Sequence, residues 1–211
     1  MSFSSIIPQW KVTEEPWTLE MLLQPEQNKN QFTLQERDLD ILQGLLEHRF
    51  LTSAQIQRLY FTEGSGGKRY TQKRLKVLFD IGVVMKVRPQ DMEPGTKPNV
   101  FALTTLGYQL LVRVGRVHKE DDLFYNEAGN LVEFSYIIHE LNLNDICLTL
   151  FDECEKKGLS FEWLPTKLCR QQVRDPFGKL RVVEPDAIFL FYTDAGQVLL
   201  HLEYERSADP R

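Results

Sequence analysis

Residues 65–82, Ser65-Gly66-Gly67-Lys68-Arg69-Tyr70-Thr71-Gln72-Lys73-Arg74-Leu75-Lys76-Val77-Leu78-Phe79-Asp80-Ile81-Gly82, decide the fold of this chain. From about Lys68 the apolar residues Tyr70, Leu75, Val77, Leu78 and Ile81 are set on one side of a helical projection. Arg69, Gln72, Lys73, Lys76 and Asp80 fall opposite, at i, i+3, i+4, i+7 and i+11. The spacing predicts an amphipathic helix, with Gly82 placed as the left-handed residue that ends it. Five cations lie within the nine residues 68–76.

The flanking sequence gives this helix its context. Upstream, Thr52-Ser53-Ala54-Gln55 is a capping box that opens a short helix running to about Tyr60. A glycine-rich break, Gly64-Ser65-Gly66-Gly67, follows it. Before that, Thr33-Leu34-Gln35-Glu36 is another capping box, heading a helix with Leu34, Leu39, Ile41, Leu42, Leu45 and Leu46 near one face. Downstream, Val83 to Arg88 and Asn99 to Leu103 read as two strands around a tip with Pro94-Gly95. Thr104 or Thr105 then caps a fourth helix, Leu106 to Val114. Helix, turn, basic helix and two-stranded ribbon in this order is the layout of a winged helix-turn-helix. A charge run is ordinarily a solvated face, and winged helices also serve protein contacts. Here the charges come with a complete module, so double-stranded DNA is the expected partner. Arg69, Gln72, Lys73 and Lys76 are expected to face the groove, where Arg pairs with guanine and Gln with adenine. Lys68 opens the same helix. Arg74, nearer the flank, is expected at a phosphate, as are Lys86, Arg88 and Lys97 on the ribbon.

Charge is distributed unevenly. Residues 33–115 carry 12 Lys and Arg against 8 Asp and Glu, whereas the remainder carries 13 against 22. A basic reader on an acidic body accounts for the net charge of −5. No apolar run reaches the roughly 18 residues needed to span a bilayer, and no secretion signal opens the chain. The three cysteines, Cys147, Cys154 and Cys169, lack metal-ligand spacing and suit a reducing, cytoplasmic compartment.

The expected organisation is α+β. Residues 1–32 form an arm with Trp10 and Trp17, residues 33–116 the DNA-binding domain, 117–130 a linker, and 131–211 a small second domain. In that domain a helix from Leu131 to about Phe151 precedes strands at 159–164, 180–183, 187–192 and 197–204, with turns at Asp175-Pro176-Phe177-Gly178 and Thr193-Asp194-Ala195-Gly196. His201, Glu203 and Glu205 share one face of the last strand, and Asp186 begins its neighbour, so Asp186 can approach Glu203. Two carboxylates at a sheet edge can hold Mg²⁺. The bland reading is an exposed acidic strand face. His139 and His201 have no third partner at metal-site spacing, and the chain has neither a phosphate-binding glycine loop nor a Ser-His-Asp set supported by context.

Glu184-Pro185-Asp186 followed by Glu203-Tyr204-Glu205 resembles the restriction-endonuclease-like nuclease core, whose signature is Pro-Asp, a spacer, then acid-any-Lys. That resemblance makes Asp186, Glu203 and Glu205 candidate catalytic residues and Asp186 and Glu203 candidate metal ligands. Glu205 stands where the core has Lys, the group expected to position the attacking water. More broadly, the order of Phe50-Leu51-Thr52 with Gln55-Ile56, Arg74-Leu75 before Gly82-Val83-Val84, Leu103-Thr104-Thr105-Leu106-Gly107, His139-Glu140-Leu141 with Asn144-Asp145, Glu184-Pro185-Asp186-Ala187 and Leu202-Glu203-Tyr204-Glu205-Arg206 resembles the replication-relaxation family of plasmids and mobile elements. The resemblance spans about residues 33–206. It implies a sequence-specific DNA-binding protein in plasmid or phage replication, copy control or transcription regulation, with a nuclease-like second domain. A nuclease core continues into another helix and strand, so the chain reads as a truncated form. The alternative is a metal-dependent nuclease or nickase. DNA binding requires no cofactor; Mg²⁺ enters only with cleavage. A homodimer and replication proteins are the expected partners, and no membrane is involved.

Overall fold

The computed structural model describes residues 9–10, 32–61, 65–87, 99–117, 125–130, 132, 134–164 and 169–204. They form an α+β protein that divides into two compact units, residues 1–134 and 135–211. Among the described residues no helix is long and apolar enough to cross a membrane.

In the first unit, β1 (Gln9–Trp10) pairs antiparallel with β2 (Phe32–Thr33). Next comes α1 (Glu36–His48), which starts two residues later than a Thr33 cap would place it. Thr33 is already committed to extended backbone, and Asp38 Oδ2 accepts from the Gln35 amide at 2.6 Å. The apolar period of α1 is realised as a buried face of Leu39, Ile41, Leu42, Leu45 and Leu46. Fully burying each such side chain is worth about 1.5–3 kcal/mol. β3 (Leu51–Thr52) leads into α2 (Ser53–Tyr60) through the expected capping box: Gln55 N donates to Thr52 Oγ1 at 3.1 Å and Thr52 N to Gln55 Oε1 at 2.8 Å. The basic helix is α3 (Ser65–Asp80), so Gly66 and Gly67 lie inside its first turn instead of before it. It ends at Gly82, which adopts φ +78° as expected.

Two strands, β4 (Val84–Val87) and β5 (Val100–Leu103), form the ribbon in antiparallel register, Val84 opposite Leu103 and Val87 opposite Val100. β3 adds to the other side of β5, giving the order β3-β5-β4. The tip between the strands, with Arg88 and Lys97, lies outside the described residues. α4 (Thr105–Arg113) is capped by Thr104, whose Oγ1 accepts from Gly107 N at 3.1 Å. A Cβ on Gly107 would run into the Val83 carbonyl oxygen, so glycine is what lets α4 sit against the start of the ribbon.

Residues 125–130, read from sequence as linker, are hydrogen-bonded into the first unit. Tyr125 Oη donates to Leu103 O at 2.5 Å, buried Asn130 donates to the same carbonyl at 3.1 Å, and Arg49 donates to Gly129 O. These polar anchors carry no apolar periodicity, which is why the sequence reads as loop.

The second unit opens with α5 (Phe134–Lys157), which starts three residues later and ends six residues later than the sequence predicts. Buried Cys154 keeps its last turns packed, Lys156 and Lys157 complement the helix C-terminus, and Gly158 at φ +65° ends it. β6 (Ser160–Leu164), β9 (Ala187–Thr193) and β10 (Gly196–Leu202) form an antiparallel sheet in the order β10-β9-β6. Leu143 and Cys147 of the helix pack with Ala187 and Phe189 of the central strand, flanked by Phe161, Trp163, Phe191 and Leu202. β7 (Gln171–Arg174) and β8 (Leu180–Val183) form a separate two-stranded ribbon between β6 and β9 in sequence. Among the described strands β10 lies at an edge of its sheet; it has no Asp, Glu, Lys or Arg, and Val198, Leu199 and Leu200 are exposed on it.

Because a Cβ at position 107 meets backbone, which cannot swing aside, Gly107→Ala is expected to destabilise the first unit by about 1–3 kcal/mol. Urea unfolding followed by circular dichroism measures this; an unchanged midpoint would show that α4 does not need the close approach.

Candidate nucleic-acid interface

The outward face of α3 carries the cations. Lys68, Arg69, Gln72, Lys73 and Lys76 are exposed, while Thr71, Leu75 and Leu78 are buried on the opposite side. Thr71 completes that inner side by donating to the Gly67 carbonyl at 2.8 Å. Tyr70, expected on the apolar side, is 45% exposed and meets the edge of Phe61 at 5.8 Å between centroids. It flanks the cationic stripe and adds an aromatic surface there.

The cations are not equivalent. Arg74, expected at a phosphate, turns inward instead. Its Nε donates to Asp38 Oδ1 at 2.6 Å and its Nη2 to Asp38 Oδ2, with the aspartate fully buried. A bidentate guanidinium spent in this way holds α3 against α1. Lys76 Nζ lies 2.6 Å from Asp80 Oδ2, one turn further along the exposed face. Lys86 on β4 places its Nζ 4.8 Å from the Phe79 ring centroid. Among the described residues no ion pair engages Lys68, Arg69 or Lys73. The N-terminal half of α3 therefore presents positive charge uncompensated by those neighbours, together with the Gln72 amide. Such a surface suits phosphates and base edges.

In the second unit the ladder ends with Leu202 opposite Ala187, so Asp186 and Glu203 follow directly beyond it on adjacent strands. Asp186 is engaged in the protein: its Oδ2 accepts from Tyr204 N at 2.7 Å and lies 3.3 Å from His139 Nε2. His139 Nε2 is also 3.1 Å from the Tyr204 carbonyl, and Asn142 Nδ2 donates to the Tyr204 hydroxyl at 3.0 Å. These contacts fasten Tyr204, just past the end of β10, to α5. Glu203 is exposed, and Glu205 lies outside the described residues. Among the described residues no group of three His, Cys, Asp or Glu side chains could hold a metal ion. Among the described donors, Asp186 is already engaged by the Tyr204 amide and His139, an arrangement that does not suit a Mg²⁺ centre. Burial pushes the Cys147 thiol well above its ordinary range.

The family model described as replication-relaxation matches residues 42–210. The chain belongs to the replication-relaxation family. The match spans both units, taking in α3, the ribbon strands, and the Asp186 and Tyr204 region. No curated protein and no solved structure matches the chain. Membership in the replication-relaxation family associates the protein with replication.

Sequence reasoning missed Asp38 as the partner of Arg74, because 36 residues separate them and an acidic residue in a first helical turn reads as a cap. Arg74→Met is expected to lower stability by about 3–5 kcal/mol, since it leaves a buried carboxylate without its cation. Lys73→Ala should stay within about 0.5 kcal/mol of the parent. Thermal unfolding of the two variants checks the contrast; equal midpoints would overturn the assignment of Arg74 to the interior.

Proposed function

We propose that the first unit is a winged helix-turn-helix that reads double-stranded DNA, and that the protein acts in replication or copy control of a plasmid or phage by binding DNA sequence-specifically. The observation that carries this reading is the exposed stripe of Lys68, Arg69, Gln72 and Lys73 on α3, backed by the buried Arg74–Asp38 pair. The inner face of α3 is fixed to the core, and its outer face is free of described ion pairs along its N-terminal half. In helix-turn-helix proteins that end of the recognition helix contacts the base edges. The order β3-β5-β4 beside it suits a wing, with Lys86 at its base. Family membership supports replication as the setting. The second unit is read as a nuclease-like scaffold, a helix on an antiparallel sheet with Asp186 and Glu203 at neighbouring strand ends.

Arg69→Ala with Lys73→Ala is expected to weaken binding to a fragment of the host plasmid. The log–log salt slope should flatten by about 2, roughly 0.9 for each phosphate that is no longer neutralised. If the double variant binds as tightly as the parent at two salt concentrations, α3 is not the reader.

The proposal includes a homodimer, because paired readers gain half-site specificity from their symmetry. Light scattering on the full chain should return twice the monomer mass. A monomer at high protein concentration would remove this part of the proposal.

A further inference from the structure

The β7–β8 hairpin is built unlike the rest of its unit. It pairs with neither neighbouring strand of the main sheet, and its register runs from Gln171 opposite Val183 to Arg174 opposite Leu180. Its tip, Asp175-Pro176-Phe177-Gly178, is closed by dense local bonding. Asp175 Oδ1 accepts from the amides of Phe177 at 3.0 Å and Lys179 at 2.9 Å, and Asp175 Oδ2 from Arg181 Nε at 3.2 Å. Arg174 Nη1 donates to the Gly178 carbonyl at 3.0 Å, and Gly178 takes φ +79°. The Lys179 amide, helped by Arg181 and the Phe177 amide, holds the Asp175 carboxyl below the usual carboxylate range. This ordered turn presents Phe177 with 94% of its surface exposed. A rigid turn that displays a large aromatic ring is paying a hydration cost that a polar residue would avoid.

The charge around the ring indicates what covers it. Residues 169–183 contain four cations, Arg170, Arg174, Lys179 and Arg181, against the single acid Asp175. The remaining residues of 135–211 contain five cations against twelve acids. Positive charge in this acidic unit is therefore gathered on the hairpin, and the acid there is consumed in closing the turn. Val173, Leu180 and Val182 add exposed apolar surface along the strands. A basic ribbon with an apolar tip matches how minor-groove proteins work: cations meet the phosphates while an apolar wedge enters a base step and kinks the duplex by about 20–90°.

We propose that the β7–β8 hairpin is a second DNA-contacting element, lying along the minor groove of duplex DNA and inserting Phe177 at a base step. It rests on the preceding reading only in taking duplex DNA as the ligand; α3 and the hairpin act through different residues. Arg174 and Arg181 hold the tip, while Arg170 and Lys179 are left for phosphates.

The test uses the full chain and a short A·T-rich duplex labelled at its two ends for energy transfer. Wild type should raise the transfer by bending the duplex. Phe177→Ala should abolish the rise and leave the salt slope unchanged, because the ring touches no phosphate. Phe177→Trp should keep the bend. Arg170→Ala with Lys179→Ala should lower the slope by about 2. The thermal midpoint of Phe177→Ala should equal that of wild type, since the ring is unpacked. A wild type that does not bend the duplex, or a Phe177→Ala variant that bends it equally, overturns the proposal. So does a Phe177→Ala variant altered only in self-association, which would assign the tip to a protein contact. Run in parallel, Arg69→Ala with Lys73→Ala separates the two readings: if it binds as wild type while Phe177→Ala stops the bending, the hairpin stands and the α3 assignment falls, and the reverse pattern does the opposite.

Discussion

The first unit is organised around one buried ion pair. Asp38 sits without solvent contact in the first turn of α1, receiving the Gln35 amide and the guanidinium of Arg74 from the middle of α3. Burying two charges is costly, and the return is geometric: a planar guanidinium meeting both carboxylate oxygens fixes rotation as well as distance. With Arg74 held inward, Leu75 and Leu78 turn into the core, and Arg69, Gln72 and Lys73 must turn out. A lysine at position 74 would keep the charge and lose the fixed angle. The surface chemistry of α3 is thus set from inside, by a buried contact.

Much of this architecture was legible in the sequence because it depends on local rules. The apolar period of α1, the Thr52–Gln55 capping box, the positive φ of Gly82 and the turns at 175–178 and 193–196 follow from residue type and short spacing. What escaped depends on partners distant in sequence. Arg74 looks like any other cation of its helix until Asp38 is beside it. Tyr70 fits an apolar stripe by spacing, yet Phe61 draws it to the exposed edge. Residues 125–130 read as linker because they are anchored by polar bonds to Leu103 and Arg49, which leave no periodic trace. The candidate acids were found by their order. Their use was not, since the 2.7 Å bond from the Tyr204 amide to Asp186 is a property of the folded strand end.

The second unit puts polar chemistry to structural use. Its core is largely aromatic, with Phe161 and Phe191 at 5.6 Å and Trp163 and Phe189 at 6.2 Å between ring centroids. Beyond these rings the strand ends are held by polar contacts. There His139 and Asp186 grip the backbone of Tyr204, and Asn142 takes its hydroxyl.

The edge strand β10 sets a limit of another kind. Natural sheets blunt their edges with lysine, proline or a bulge, because a bare edge is a template for any extended chain nearby. β10 has none of the charged residues that do this, and it displays Val198, Leu199 and Leu200. Its seven residues include Val198 and three leucines and contain no proline. By that rule β10 is a described strand with little to guard it against pairing with another extended chain.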